Sequence, residues 1–186
     1  MAPLDAIKTQ AQKDGTSVST STTDNASQGA SAAQNAEYAL VFINSDSGEG
    51  YITVEGHAGD RKNLDAWHNG NDLVKAVAQV NKKTIVVVHS VGPIIMEPWI
   101  DNPNVVAVVW AGLPGQESGN GLVDILYGST SPNGKLPYTI AKQASDYGTS
   151  VVAGDDNFPE GLFIDYRRFD QQKIEPRFEF GFGLCK

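Results

Sequence analysis

The stretch KTIVVVHSVGP, residues 83–93, decides how the rest of the chain is read. Thr84 to Val88 are five β-branched residues in succession, with no polar position left for a solvated face. A strand with one wet face alternates in polarity. This one does not, so it predicts a central parallel strand covered on both sides. Parallel neighbours need long crossovers, and these are usually helices.

Working outward, NDLVKAVAQVN (71–81) supplies such a helix, with Asn71 as cap and Leu73, Val74, Val77, Ala78 and Val80 on one stripe. Before it, YALVFI (38–43) reads as a buried strand. After the central strand, GPIIMEPWIDN (92–102) predicts a short helix with Pro93 in its first turn. NVVAVVWAG (104–112) reads as another buried strand, and QESGNGLVDILYG (116–128) as a loop and a helix. Near the N-terminus, PLDAIKTQAQKDG (3–15) predicts a helix ended by Gly15, and TSVST (16–20) a short strand. In 22–37, alanines 26, 30, 33 and 36 recur at helical spacing within a Ser/Ala/Gln-rich tract, so a helix is preferred to a linker. GKLPYTI (134–140) predicts a late strand, which Pro137 confines to an edge.

Helices alternating with apolar strands give an α/β fold: an open, mostly parallel sheet flanked by helices in three layers, an α/β sandwich with an antiparallel edge strand. One domain is expected over 1–186. Residues 14–37 form its strand–helix region, 44–70 a long loop of catalytic type, and 141–186 an irregular C-terminal segment.

Composition narrows the function. A chain of 186 residues with 40% hydrophobic and 19% charged residues has the make-up of a folded domain. Its net charge of −8 argues against a nucleic-acid partner held through phosphates and against a basic membrane-surface role. Apolar runs fall far short of a membrane span. Cys185 stands alone, so no intrachain disulfide is expected. His57, His68 and His89 lack ligand spacing, so no metal site is expected. The start MAPLDAIKTQ has no apolar core of a signal peptide, while Asn25-Ala26-Ser27 is a glycosylation sequon.

In open α/β sheets ligands bind beyond the carboxyl ends of the strands. NSDSGEGY (44–51), HSVGP (89–93) and AGLPGQESGN (111–120) each follow a buried strand and should share that edge. GSTSPNGKL has the wrong glycine spacing for a phosphate loop, and Leu136 stands where magnesium needs a hydroxyl. Neither a dinucleotide fingerprint nor a G-x-S-x-G elbow occurs, and Ser90 beside His89 reads as a polar strand end. Acid chemistry remains. Glu49, between Gly48 and Gly50, reads either as a general acid on a flexible mount or as a solvated loop glutamate. Glu117 fits a helix N-terminus better than a reaction. Asp60 and Arg61 at most order their loop. Trp67 is either a stacking platform for a sugar or an anchor for the long loop.

Taken together, DSGEGY, GDRKNLDAWHNG, IVVVHSVGP, VVWAGLPGQESGN, LVDILYG, NGKLPYTI, EGLFIDYRRFD and FEFGFGL resemble the second, α/β-sandwich domain of fungal β-glucosidases of glycoside hydrolase family 3. The resemblance runs from Pro3 to Leu184. It implies a retaining enzyme, extracellular in the parent, that removes terminal β-linked glucose from cellobiose and related glucosides or oligosaccharides without cofactor or metal. It also implies that Glu49, in SGEGY, is the acid/base. Asp46, Ser47, Tyr51 and Trp67 are its expected substrate-binding neighbours.

The family's nucleophile is an aspartate in a Ser-Asp-Trp motif on a preceding (β/α)8 barrel. This chain has no such motif; Ser145-Asp146-Tyr147 is the nearest string and lies elsewhere. The resemblance therefore implies a barrel partner, in cis or in trans, and no turnover without it. The alternative is a non-catalytic fragment or a weak carbohydrate-binding module. Independent hydrolysis with Asp46 or Glu117 as second carboxylate is a weaker third reading. The face turned to a barrel should be apolar and favour self-association.

Overall fold

The computed structural model describes residues 1–150, 154 and 157–183. The expectations for Leu184 and Cys185 lie outside them. Its elements are α1 (Pro3–Lys13), α2 (Ala26–Ala33), β1 (Ala39–Ser45), β2 (Thr53–Val54), β3 (His57–Ala58), α3 (Gly70–Val80), β4 (Thr84–Ser90), β5 (Val105–Trp110), α4 (Ser118–Leu126) and α5 (Tyr166–Gln172), with 3₁₀ turns at Gly115–Glu117 and Ala144–Tyr147.

The main sheet has the order β1-β4-β5 and is wholly parallel. The KTIVVVHS run is its central strand. Ala39 to Ser45 lie in register with Thr84 to Ser90. Val86, Val87 and Val88 are fully buried. Side chains alternate across β1, so Val41 and Ile43 face α3 while Phe42 faces the opposite side. The core between sheet and α3 joins Val74, Val77, Val86, Val88, Ile94, Met96 and Trp99. Each buried aliphatic side chain there contributes roughly 1.5–3 kcal/mol. Helix α2 packs on α3 through its small residues, and α1 packs on α4. Pro3 and Ser118 line a concavity with Phe42 and His89, so the α1–α4 pair lies on the second face. The protein is thus an α/β fold with an open parallel sheet flanked by helices.

Four local expectations are corrected. TSVST is not a strand. Thr16 N–H turns back to Ala11 O at 2.8 Å, and no described strand offers residues 16–20 a ladder. GPIIMEPWIDN forms turns rather than a helix. Ile95 N–H is taken by Leu64 O at 2.8 Å, Pro98 has no N–H, and Ile94, Met96 and Trp99 drop into the core. GKLPYTI runs antiparallel to 178–182 but keeps a single bridge, Ile140 to Phe178. Pro137 brings no donor, and Thr139 N–H is diverted to Asp165 Oδ1 at 3.0 Å, so no ladder propagates. Finally, α3 begins one residue before Asn71, capped at Asn69 with φ 58°, and Asn71 Oδ1 instead accepts from Trp99 Nε1 at 2.8 Å.

Two regions read as irregular hold small elements. The long loop contains an antiparallel hairpin, β2–β3. The C-terminal segment contains α5 and the turn at Ala144–Tyr147, where the 9%-exposed Asp146 closes a capping box with Gln143. Asp146 is therefore a structural carboxylate in the one string that resembled a nucleophile motif.

Candidate active site

The strand end sets the site. β1 stops at buried Ser45, and Val91 N–H closes on Ser45 O at 3.1 Å, which holds the HSVGP segment beside NSDSGEGY. Asp46 Oδ1 accepts from Ser47 N–H at 2.8 Å, turning the chain out of the sheet. Ser47 Oγ then accepts from Arg61 N–H at 3.0 Å. Gly48 N–H donates to Gly59 O at 3.0 Å, Gly59 N–H to Ile52 O at 3.1 Å, and Ile52 N–H to Glu49 O at 2.8 Å. These bonds close a tight turn with Glu49 and Gly50 at its tip.

The glycines act differently from the expected flexible mount. A Cβ on Gly48 would lie 2.3 Å from Ile52 O and 2.8 Å from Gly59 O, so glycine is there for close packing of backbone. Gly50 has φ +50° with open space around it, a turn requirement only. Glu49 is exposed, and among the described residues no side chain pairs with its carboxylate. Tyr51, next but one, is 95% exposed.

Beneath the turn, the hairpin is anchored at two points. Trp67 N–H donates to Asn44 O at 2.8 Å, and its ring, 8% exposed, is covered by His57 with centroids 4.3 Å apart. That is the anchoring role weighed for this tryptophan. His68 Nε2 meets Glu55 Oε2 at 2.5 Å between the hairpin and the start of α3. Asp46 and Ser47 are occupied in shaping the turn, and Glu117 Oε2 accepts from Asn120 Nδ2 at 2.5 Å on the α4 side. Neither local carboxylate is held against Glu49.

The residue that sequence reasoning undervalued is Arg61. Its guanidinium crosses the end of the sheet, donating through Nη1 to Pro93 O at 2.8 Å and to Ser45 Oγ at 3.4 Å. Burial lowers its pKa from the usual arginine value, with Tyr147 and Tyr138 opposing the shift. No carboxylate pairs with it among the described residues. Burial also pushes the Tyr147 phenol up to about 12 and raises Tyr138. His89 lies on the other face, where burial lowers its pKa and its Nε2 finds no partner among the described residues. Nothing in the sequence around Arg61 marks its reach to Pro93.

A domain model described as the C-terminal domain of glycosyl hydrolase family 3 matches residues 1–184. The chain belongs to this family. The probable β-glucosidase L of Aspergillus terreus is 70% identical over 186 residues, 99% of this chain and 25% of that protein. A β-glucosidase of Schizophyllum commune is 57% identical over 97% of each sequence. The crystal structure of the β-D-glucoside glucohydrolase of Trichoderma reesei superposes with TM-score 0.96 at 64% identity, covering 99% of this chain and 26% of that one. The family 3 domain described here therefore spans about a quarter of the length of the Aspergillus and Trichoderma relatives.

Proposed function

We propose that this family 3 domain supplies the general acid/base, Glu49, of a retaining β-glucosidase whose nucleophile stands on a barrel domain outside the chain. The observation that carries the reading is the turn itself. An exposed carboxylate with no partner among the described residues is carried on a turn held by backbone hydrogen bonds at the carboxyl edge of a parallel sheet, in a chain whose relatives are named β-glucosidases. A solvated loop glutamate would need no such support.

In the first step the barrel aspartate attacks the anomeric carbon. Glu49 gives its proton to the departing glycosidic oxygen, and a glucosyl ester forms on the aspartate. In the second, Glu49 takes a proton from water, which displaces the ester and restores both carboxyls. Retention requires the two carboxyls to stand about 5–5.5 Å apart, so Glu49 must project beyond its own domain. Tyr51, exposed beside it, would contact the leaving-group sugar. Asp46 and Ser47 would act by shaping the turn, and Trp67 by anchoring the hairpin. Cellobiose and related terminal β-glucosides, met outside the cell, are the proposed substrates.

The test uses a chimera in which this chain replaces the matching quarter of the Trichoderma glucohydrolase. Glu49→Gln should lower kcat/KM on phenyl β-glucoside about 10²–10⁴-fold, the usual contribution of a general acid. Unchanged activity would remove Glu49 from the mechanism. The chain without a barrel should show no turnover.

A further inference from the structure

We infer that Arg61 is a positioning residue for the acid/base turn; this rests on the reading of Glu49 above. Three segments meet at this residue, two through its side chain and one through its backbone. Its Nη1 ties Pro93 O after β4 to Ser45 Oγ at the end of β1. Its backbone N–H holds Ser47 Oγ, two residues before Glu49. Two residues upstream, Gly59 receives Gly48 N–H and donates to Ile52 O. The return strand of the hairpin and the outgoing strand of the turn are thus fixed to each other. Arg61 fixes the pair to the sheet.

The surroundings fit a guanidinium. Gly92 leaves the space that Arg61 fills, since a Cβ there would stand 2.9 Å from Nη2. Gly92 lacks a positive φ, so its missing side chain serves space rather than backbone conformation. The guanidinium is half-buried and meets no carboxylate among the described residues, an arrangement that costs desolvation and gains no ion pair from them. Its bonds go to a carbonyl and a hydroxyl at two strand ends. A side chain that served stability alone would gain more from an apolar replacement or an acidic partner. Both bonds leave Nη1, whose direction the rigid guanidinium plane fixes, whereas lysine's ammonium sits on a flexible stem with no such plane.

Misplacing an acid by about 1 Å can cost as much as 10²-fold in rate. The loss should appear only where proton donation matters. Leaving groups that depart as stable anions need no acid in the first step, whereas poor ones do. Substitution of Arg61 should therefore produce a penalty that grows with leaving-group pKa. General unfolding or loss of barrel contact would lower all substrates alike.

Two measurements decide it. In the 186-residue chain, amide exchange at Gly48, Ile52 and Gly59 should speed by about tenfold or more in Arg61→Lys, with Val87 and Val88 unchanged; 1.4 kcal/mol of lost local stability corresponds to such a factor. In the chimera, Arg61→Lys should lower kcat/KM about tenfold or more on phenyl β-glucoside and less than about twofold on the 2,4-dinitrophenyl glucoside. Gly92→Ala, which crowds the guanidinium from the other side, should give the same pattern more weakly, and the double variant less than the product of the two. An equal loss on both substrates, or none on either, would overturn the positioning role. Glu49→Gln run alongside separates the two readings. If it shows no leaving-group dependence, the acid/base assignment fails and takes this inference with it. If it does while Arg61→Lys does not, only the role of Arg61 falls.

Discussion

Gly48 and Gly59 face each other across the turn that carries Glu49 with their backbones in contact: Gly48 N–H donates to Gly59 O at 3.0 Å, and a methyl group on Gly48 would intrude to 2.8 Å from that same oxygen. The contact turns a glycine-rich loop into a defined one. A Glu49 that swept freely would spend little time at the glycosidic oxygen. On the proposed reading, a turn closed by three backbone bonds fixes the distance Glu49 must span.

Gly48→Ala tests this directly. The Ile52 and Gly59 carbonyls are backbone and cannot swing away as a flexible side chain would. The substitution should cost about 1–3 kcal/mol, the usual range for overpacking. In the chimera it should lower kcat on poor leaving groups. Gly50→Ala meets no atom within 4 Å and carries only the strain of its positive φ, about 1 kcal/mol. Urea denaturation of both variants should rank Gly48→Ala the more destabilised.

Tyr147 supports the same edge from below. Its hydroxyl donates to Thr139 O at 2.8 Å and accepts from Ala141 N–H at 3.1 Å. With its pKa raised to about 12 in the folded state, it stays neutral where the unfolded phenol, near 10, has ionised. The folded state then holds the extra proton, so stability falls as pH rises from about 10 towards 12. Tyr147→Phe should remove that part of the alkaline slope. It should also lower stability near neutrality by about 1–3 kcal/mol, because Ala141 N–H loses its acceptor. Urea midpoints between pH 8 and 11 would show both effects; an unchanged alkaline slope would contradict the first.

His89 acts in the opposite pH range. Burial lowers its pKa from the ordinary 6.5, so the unfolded chain takes up a proton there before the folded one does. Stability should fall as pH drops below 6.5, ahead of the carboxylates. His89→Phe replaces a buried ring nitrogen that has no partner among the described residues with an apolar edge against Phe42. Its stability should depend less on pH between 5 and 7 than that of the parent. An identical slope would show that His89 is not the group responsible.

Phe158, 69% exposed, and Leu162, 74% exposed, lie with Phe163 and Ile164 among the exposed apolar residues of the C-terminal segment. On the proposed function, a surface that meets a barrel would be uncovered in the chain alone. The 186-residue chain should accordingly self-associate, with a mass in light scattering that rises with concentration, and Leu162→Glu should reduce the rise. A monomer at the highest concentrations would contradict a docking face of this kind.

Much of this was legible in the sequence. The unbroken β-branched run Thr84 to Val88 forms the covered central strand it predicts, whereas the similar run expected to be buried in β5 lies at the edge of the sheet and is partly exposed, Val106 at 52%. The order of the elements, and the strand-end placement of Glu49, followed. Errors fell where one distant hydrogen bond overrode local preference: Leu64 O taking Ile95 N–H, and Asp165 taking Thr139 N–H. At the site, residue types near Glu49 were visible but their jobs were not. Gly48 read as freedom and is tight packing. Arg61 read as loop chemistry and reaches Pro93 across the sheet. The role of Arg61 depends on a contact 32 residues away in sequence, which no local pattern encodes.

The central claim, that Glu49 is the proton donor and acceptor for a nucleophile on another domain, has a direct chemical test. The chimera carrying Glu49→Ala would be given 2,4-dinitrophenyl β-glucoside, whose leaving group needs no acid, so the glucosyl-enzyme forms and accumulates. Azide needs no base to attack it. The account predicts that azide restores turnover and that the product is β-glucosyl azide, of retained configuration, with no rescue in the parent chimera. Glu49→Ala that turns over this substrate and phenyl β-glucoside at parental rates, or that yields no glucosyl azide, would contradict it.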